Sequence, residues 1–205
     1  MVADCLAVGC MVAFWGQAVT GYVSVRSYYV DIWGNPEKEA EFVKDGLVVG
    51  VLKWKSSMAT QEVNMYATIG VSEYVAPGLS VNHRQEFFVG LTPECDAVAS
   101  PLAWLGIHAQ RNGRVIEAGH TYRVCRGFIG GYNFAGFIIL SPLSGIPGKI
   151  ALTDGRHVDF LMAVPAYADE LDFASSSGVE GLLEKMERSA VPFWDPARRS
   201  TFDAV

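Results

Sequence analysis

The 205-residue chain is poor in charge, and poorest in positive charge: 19% of its residues are charged, with 16 Lys and Arg against 22 Asp and Glu, a formal net charge of −6. A protein that grips phosphates needs a basic face, so this balance argues against nucleic acid as the main partner. No Lys or Arg precedes Arg26, whereas a secretory signal opens on basic residues ahead of its apolar run. The nearest approach to a membrane span is residues 1–21, but Asp4, Gly9 and Gly16 interrupt the roughly 20 apolar residues a spanning helix needs. The four cysteines, Cys5, Cys10, Cys95 and Cys125, form no C-x-x-C pair. Cys95 and Cys125 stand in apolar company and read as small buried residues of a reducing compartment, so the expected location is cytoplasmic, without a membrane partner.

What the chain does have is apolar bulk. Half its residues are hydrophobic, including 5 Trp, 8 Tyr and 11 Phe, enough buried surface to exclude intrinsic disorder. The 21 glycines imply many turns and therefore strands. One domain is expected over 22–205, with residues 1–21 set aside as an apolar leader or a mis-assigned start.

Residues 35–46 combine a helix-starting Asn35, Pro36 at the first helical position, acids in the first turn and a closing Gly46, which predicts a short surface helix. Branched and aromatic runs at 47–54, 63–71, 84–91, 122–125, 135–140 and 158–164 predict strands, with a turn at Asp154-Gly155 before the last. Ser100-Pro101 opens a helix striped by Leu102, Leu105 and Ala109 and stopped at Asn112-Gly113, with an extra turn over 94–99. Near the carboxyl terminus, 168–174 forms one short helix. Ser177-Gly178-Val179-Glu180 opens a second by a capping box, its apolar face Val179, Leu182, Leu183 and Met186, with Glu184 and Arg188 paired on the wet side. Strands followed by helices predict an α+β fold: a mixed, mostly antiparallel sheet with helices packed on one side.

Catalytic signatures are sparse. There is no G-x-S-x-G elbow, and the glycines of residues 126–136 fit neither phosphate-loop spacing nor its strand-to-helix context, so they predict a hairpin or bulged loop. Two groups keep an enzyme reading open: Cys125, flanked by Arg123 and Arg126, and the local cluster Asp154, His157 and Asp159. The bland alternatives are a core cysteine and a turn followed by a strand-end histidine, and no catalytic residue, cofactor or metal is expected. Charge is the more informative pattern. Residues 169–187 hold Asp169, Glu170, Asp172, Glu180, Glu184 and Glu187 against Lys185 alone, a local net −5, while residues 111–126 carry +3. These six carboxylates are the candidate partner-binding residues, suited to steering a basic protein.

Taken in order, several stretches resemble the suppressor of fused domain family, in its bacterial single-domain form. They are Tyr66-Ala67-Thr68-Ile69-Gly70-Val71-Ser72, Arg84-Gln85-Glu86-Phe87-Phe88, the helix of residues 102–110 leading to Ala118-Gly119-His120-Thr121, and Phe137-Ile138-Ile139-Leu140-Ser141-Pro142. The series continues through residues 158–167, Glu170-Leu171 and Asp195-Pro196-Ala197-Arg198-Arg199. The resemblance implies a mixed α+β domain without a catalytic centre. Animal members of that family grip a short peptide of a transcription factor; single-domain bacterial members look like immunity proteins that neutralise toxins, commonly nucleases or other basic effectors. No peptide-gripping residue carries over, because no motif here matches one position by position. The expected function is therefore non-enzymatic protein binding by an immunity protein. The alternatives are an intracellular regulator whose sheet edge takes an extended peptide of a signalling or transcription factor, and an enzyme using Cys125 or Asp154, His157 and Asp159.

Overall fold

The computed structural model describes residues 20–56, 62–74, 83–111, 115–143 and 148–203. Its elements are α1 (Thr20–Trp33), β1 (Lys38–Lys44), β2 (Leu47–Trp54), β3 (Asn64–Ile69), β4 (His83–Leu91), α2 (Ala99–Arg111), β5 (Thr121–Arg123), β6 (Gly136–Leu140), β7 (Lys149–Ala151), β8 (His157–Ala166) and α3 (Ala168–Arg188). Eight strands form one sheet in the order β1-β2-β3-β4-β8-β6-β5, with β7 pairing the first part of β8. Every pairing is antiparallel except β4 with β8. The α+β class and the mostly antiparallel mixed sheet expected from the sequence are both present. Among the described residues no helix is long and apolar enough to cross a membrane.

Two expectations are corrected. Residues 38–44 form a strand, not a helix: Asp45 and Gly46 both take positive φ (52° and 81°), the geometry of a two-residue hairpin turn, and they fold β1 back on β2 with Lys44 opposite Leu47. The local helix signals at Asn35-Pro36 lose to that turn and to the pairing it permits. Nor do the helices share one side. Leu102, Leu105 and Ala109 of α2 pack with Val49, Val51, Phe87, Val89 and Ile139 on one face, whereas Val25, Tyr29 and Trp33 of α1 pack with Leu52, Trp54, Ile69, Phe88 and Phe160 on the other. The first half of α3 joins the α1 face, setting Leu171 and Ala174 on Ile138 and Ala166. Both faces of the central strands are consequently apolar, which is why residues 47–54 and 158–164 read as continuous runs rather than alternating ones. Much of the aromatic content meets under α1, where Tyr29 and Trp33 stack at 5.3 Å and both meet the Trp54 ring edge-on at 5.7 and 5.0 Å. The expected leader, residues 1–21, lies outside the described residues up to position 19, as do Asn112-Gly113.

Two carboxylates are sealed inside this frame. Glu86 of β4 has no exposed surface; its Oε1 accepts hydrogen bonds from the backbone N–H of Gly70 (3.0 Å) and Ser72 (2.9 Å) and from Ser72 Oγ (2.7 Å), and its Oε2 from Thr68 Oγ1 (2.6 Å). Burial pushes its carboxyl above the ordinary value, against the downward pull of these donors. Glu170, at the start of α3, is equally buried but holds Arg198 in a two-pronged pair, Nη1 to Oε1 at 2.6 Å and Nη2 to Oε2 at 2.7 Å. It also accepts from the backbone N–H of Thr201 and Tyr167 (both 2.9 Å) and from Thr201 Oγ1 (2.6 Å). Burial opposes its charge, but Arg198 and these donors outweigh burial and hold the carboxyl below the ordinary range. The Arg198 guanidinium lies over the rings of Tyr167 and Phe134, at 5.0 and 5.3 Å. Residues 198–201 are thereby pinned to the start of α3.

These two sites answer substitution and pH in opposite ways. Glu86→Gln keeps an acceptor for Gly70 and Ser72 and donates to Thr68 Oγ1, whose proton turns to the Phe87 carbonyl at 3.3 Å. Urea denaturation at neutral pH should place it within about 1 kcal/mol of the parent, with Glu86→Ala losing about 3 kcal/mol; a Gln variant as unstable as the Ala variant would refute this bonding. Because the Glu86 carboxyl is raised, its contribution favours folding below the ordinary value and is lost as pH rises through the folded one. The depressed Glu170 contributes above the ordinary value and loses that contribution as pH falls. Arg198→Met should therefore cost roughly 3–5 kcal/mol at neutral pH, and the deficit should shrink when urea curves are repeated near pH 5, as the stranded Glu170 takes up a proton. A deficit that is constant with pH would contradict the pair.

Candidate functional site

The second half of α3 carries the exposed charge. Gly178 takes φ 84° and ψ 157°, which only glycine adopts readily, and it breaks α3 into two helical halves where the sequence places a new helix start. Beyond it Val179, Leu182 and Met186 face the core. Leu183, expected on that apolar face, is 36% exposed instead. It shares the outward face with Glu180, Glu184 and Glu187, by the three- and four-residue spacing of a helix.

None of these three carboxylates has a cation within salt-bridge distance among the described residues. Two local cations are engaged elsewhere. Arg188 donates through Nε to the backbone carbonyl of Glu184 at 3.2 Å, so the expected side-chain pair does not form, and the Lys185 ammonium sits 4.9 Å over the Phe202 ring. The face is an apolar residue ringed by unpaired carboxylates.

The other expected contact residues are placed differently. Glu170 is removed from any contact surface by burial and by Arg198, which corrects its assignment. Asp169 is half-buried and accepts from Ser200 Oγ at 2.6 Å. Asp172 is exposed but paired with Arg123 at 2.5 Å, so the basic stretch 111–126 already neutralises part of the acidic one. What remains unpaired is Glu180, Glu184 and Glu187.

The residues of the enzyme alternative are not gathered as the sequence suggested. Cys125 follows β5 in the loop toward β6 and is half-buried, and Cys95 is buried. Asp154 stays in the turn before β8, accepting from the Arg156 backbone N–H at 3.1 Å and its Nε at 2.6 Å. His157 and Asp159 do share a strand face, yet their neighbour is His83. Parallel register sets His83 beside His157 and Gln85 beside Asp159. His83 Nδ1 lies 3.0 Å from His157 Nε2, and its Nε2 lies 3.4 Å from Asp159 Oδ2. Lys149 Nζ approaches the other Asp159 oxygen at 3.3 Å. The group opens on a cavity of about 430 Å³ whose walls include Gln85, Ile116, Glu117 and Ser141. Sequence reasoning missed His83 because its partner is 74 residues away, and only the β4–β8 register brings the two together.

A second concavity, about 330 Å³, lies between β1, β2 and the segment before α2. Its charges are matched internally: the buried Lys53 ammonium contacts Glu94 and reaches Asp96 at 2.5 Å, while Lys38 reaches Asp96 at 3.2 Å. With a fourth contact between Lys38 and Glu94 at 3.9 Å, these lysine–carboxylate pairs leave little net field there.

The chain is similar to several solved structures. The structure described as the Sufu-Fu complex superposes with a TM-score of 0.67 at 15% identity, covering 89% of this chain and 93% of that one. A suppressor of fused homologue from Neisseria gonorrhoeae FA 1090 gives 0.63 at 18% identity, covering 88% and 96%. Drosophila Suppressor of Fused gives 0.64 at 15% identity, covering 89% of this chain and 50% of that one. No match was found among curated proteins. At these identities the superpositions establish the fold. The family described as suppressor of fused protein (SUFU) matches residues 45–199, from β2 through the Arg198 lock, and the chain belongs to that family.

Proposed function

We propose that this protein is a non-enzymatic binding domain of the cytoplasm, an immunity protein that neutralises a basic toxin by covering it. The observation that carries the reading is the outward face of α3, where Glu180, Glu184 and Glu187 stand unpaired around Leu183 while the other carboxylates of the segment are buried, hydrogen-bonded or paired. Unpaired carboxylates accelerate encounter with a basic active site, and an apolar centre slows release once water is excluded. Among structural relatives, the Sufu-Fu complex bears by its description on a protein partner. The regulatory alternative, an extended peptide added to a sheet edge, is less well served. The β1 edge carries Lys38, Glu39, Glu41 and Lys44, and charged side chains discourage strand addition.

The test takes as partner a toxin domain sought among the products of the genes neighbouring this chain's own. Reversing Glu180, Glu184 and Glu187 to Lys should slow association by about tenfold or more at low salt, with the difference shrinking at high salt, and leave dissociation nearly unchanged. Leu183→Ala should do the opposite, raising the dissociation rate. Unaltered kinetics in the charge-reversed protein, with its thermal stability retained, would remove the α3 face from the interface.

A further inference from the structure

Outside the acidic face, the cluster at the first residues of β4 and β8 carries a separate inference. We propose that His83, His157 and Asp159 form a site for one divalent transition metal ion of the zinc class. One ligand atom from each residue lies within 4.8 Å of the other two. Ligands around tetrahedral zinc stand roughly 3.3–3.6 Å apart, given metal–ligand lengths of about 2.0–2.2 Å, so this set needs a closure of about 1 Å, within the range of side-chain rotation. The backbone needs no change. Parallel pairing already holds both imidazoles on one face, and Asp159, two residues after His157, projects to the same side.

The chemistry of the set is selective. Two imidazole nitrogens and one carboxylate suit borderline cations such as zinc better than magnesium or calcium, which take oxygen ligands. Three protein ligands leave the fourth position toward the cavity, where water completes the shell. His83 Nε2 is buried without a hydrogen bond among the described residues although Asp159 Oδ2 is 3.4 Å away, an orphaned polar atom at the site itself. Among the described residues the competing cation is Lys149, which reaches Asp159 from β7, and its side chain is 58% exposed and free to swing into solvent as the metal arrives. Lys149 therefore acts as a stand-in charge whose removal favours the ion.

The experiment is calorimetric titration of the full chain with zinc alone, in a Cys5→Ser, Cys10→Ser background so that the amino-terminal thiols do not contribute. Cobalt(II) titration reads coordination directly, through the absorption bands of the tetrahedral ion. The account expects saturable binding of one ion per chain, weakened by roughly a hundredfold or more in both His83→Gln and His157→Gln. It also expects tighter binding in Lys149→Ala, which preserves every ligand and which no scattered surface histidine would produce. Absence of one-to-one binding in the parent, affinity unchanged in folded His83→Gln, His157→Gln protein, or affinity lowered by Lys149→Ala would each overturn the site.

Discussion

The structure depends on one pairing, the parallel contact of β4 with β8. On one side of it stands the antiparallel run β1-β2-β3-β4; on the other, β8 gathers β7 and β6, and β6 carries β5. No other strand pair joins the two sets among the described residues, so the register of this seam decides which residues face each helix. His83 opposite His157 sets Phe87 opposite Leu161 on the α2 face and Glu86 opposite Phe160 on the α1 face. A slip of one residue would carry every one of the slipped strand's side chains to the wrong layer. Stability and the two-histidine site thus share a cause.

The buried charges show how the resembling stretches are used in this chain. Thr68, Gly70 and Ser72 lie in one resembling stretch and Glu86 in the next, and together they make the cation-free carboxylate site. Tyr167, Glu170 and Arg198 lie in the last resembling stretches and together make the lock on α3. These resembling stretches are scaffold: they hold a charge inside an apolar frame by satisfying each of its oxygens. The outward α3 carboxylates Glu180, Glu184 and Glu187 belong to neither network.

Legibility followed the range of the forces involved. Strands such as β2, β4 and β8 were readable because a doubly covered strand is apolar throughout, and the break at Gly178 because it is a local conformational requirement. The strand β1 was misread since its helix signals are local while its pairing with β2 is not, although Asp45-Gly46 held the clue. The helix α1 carried no cap or clear stripe to announce it; its aromatic residues find their meaning only against Trp54 and Phe160. In the candidate site the charge excess was legible from composition. Which carboxylates are free was not, because the partners of Glu170, Asp169 and Asp172 are Arg198, Ser200 and Arg123, 28 to 49 residues distant.

The proposed role of this scaffold is to present the outward face of α3 to a basic protein. Hydrogen exchange of the chain, alone and mixed with a toxin domain sought among the products of its neighbouring genes, tests that role most directly. The account predicts slowed amide exchange concentrated in residues 179–188, with the sheet unchanged. Slowing confined to the β1 edge or to the sheet, or no complex at all, would contradict it.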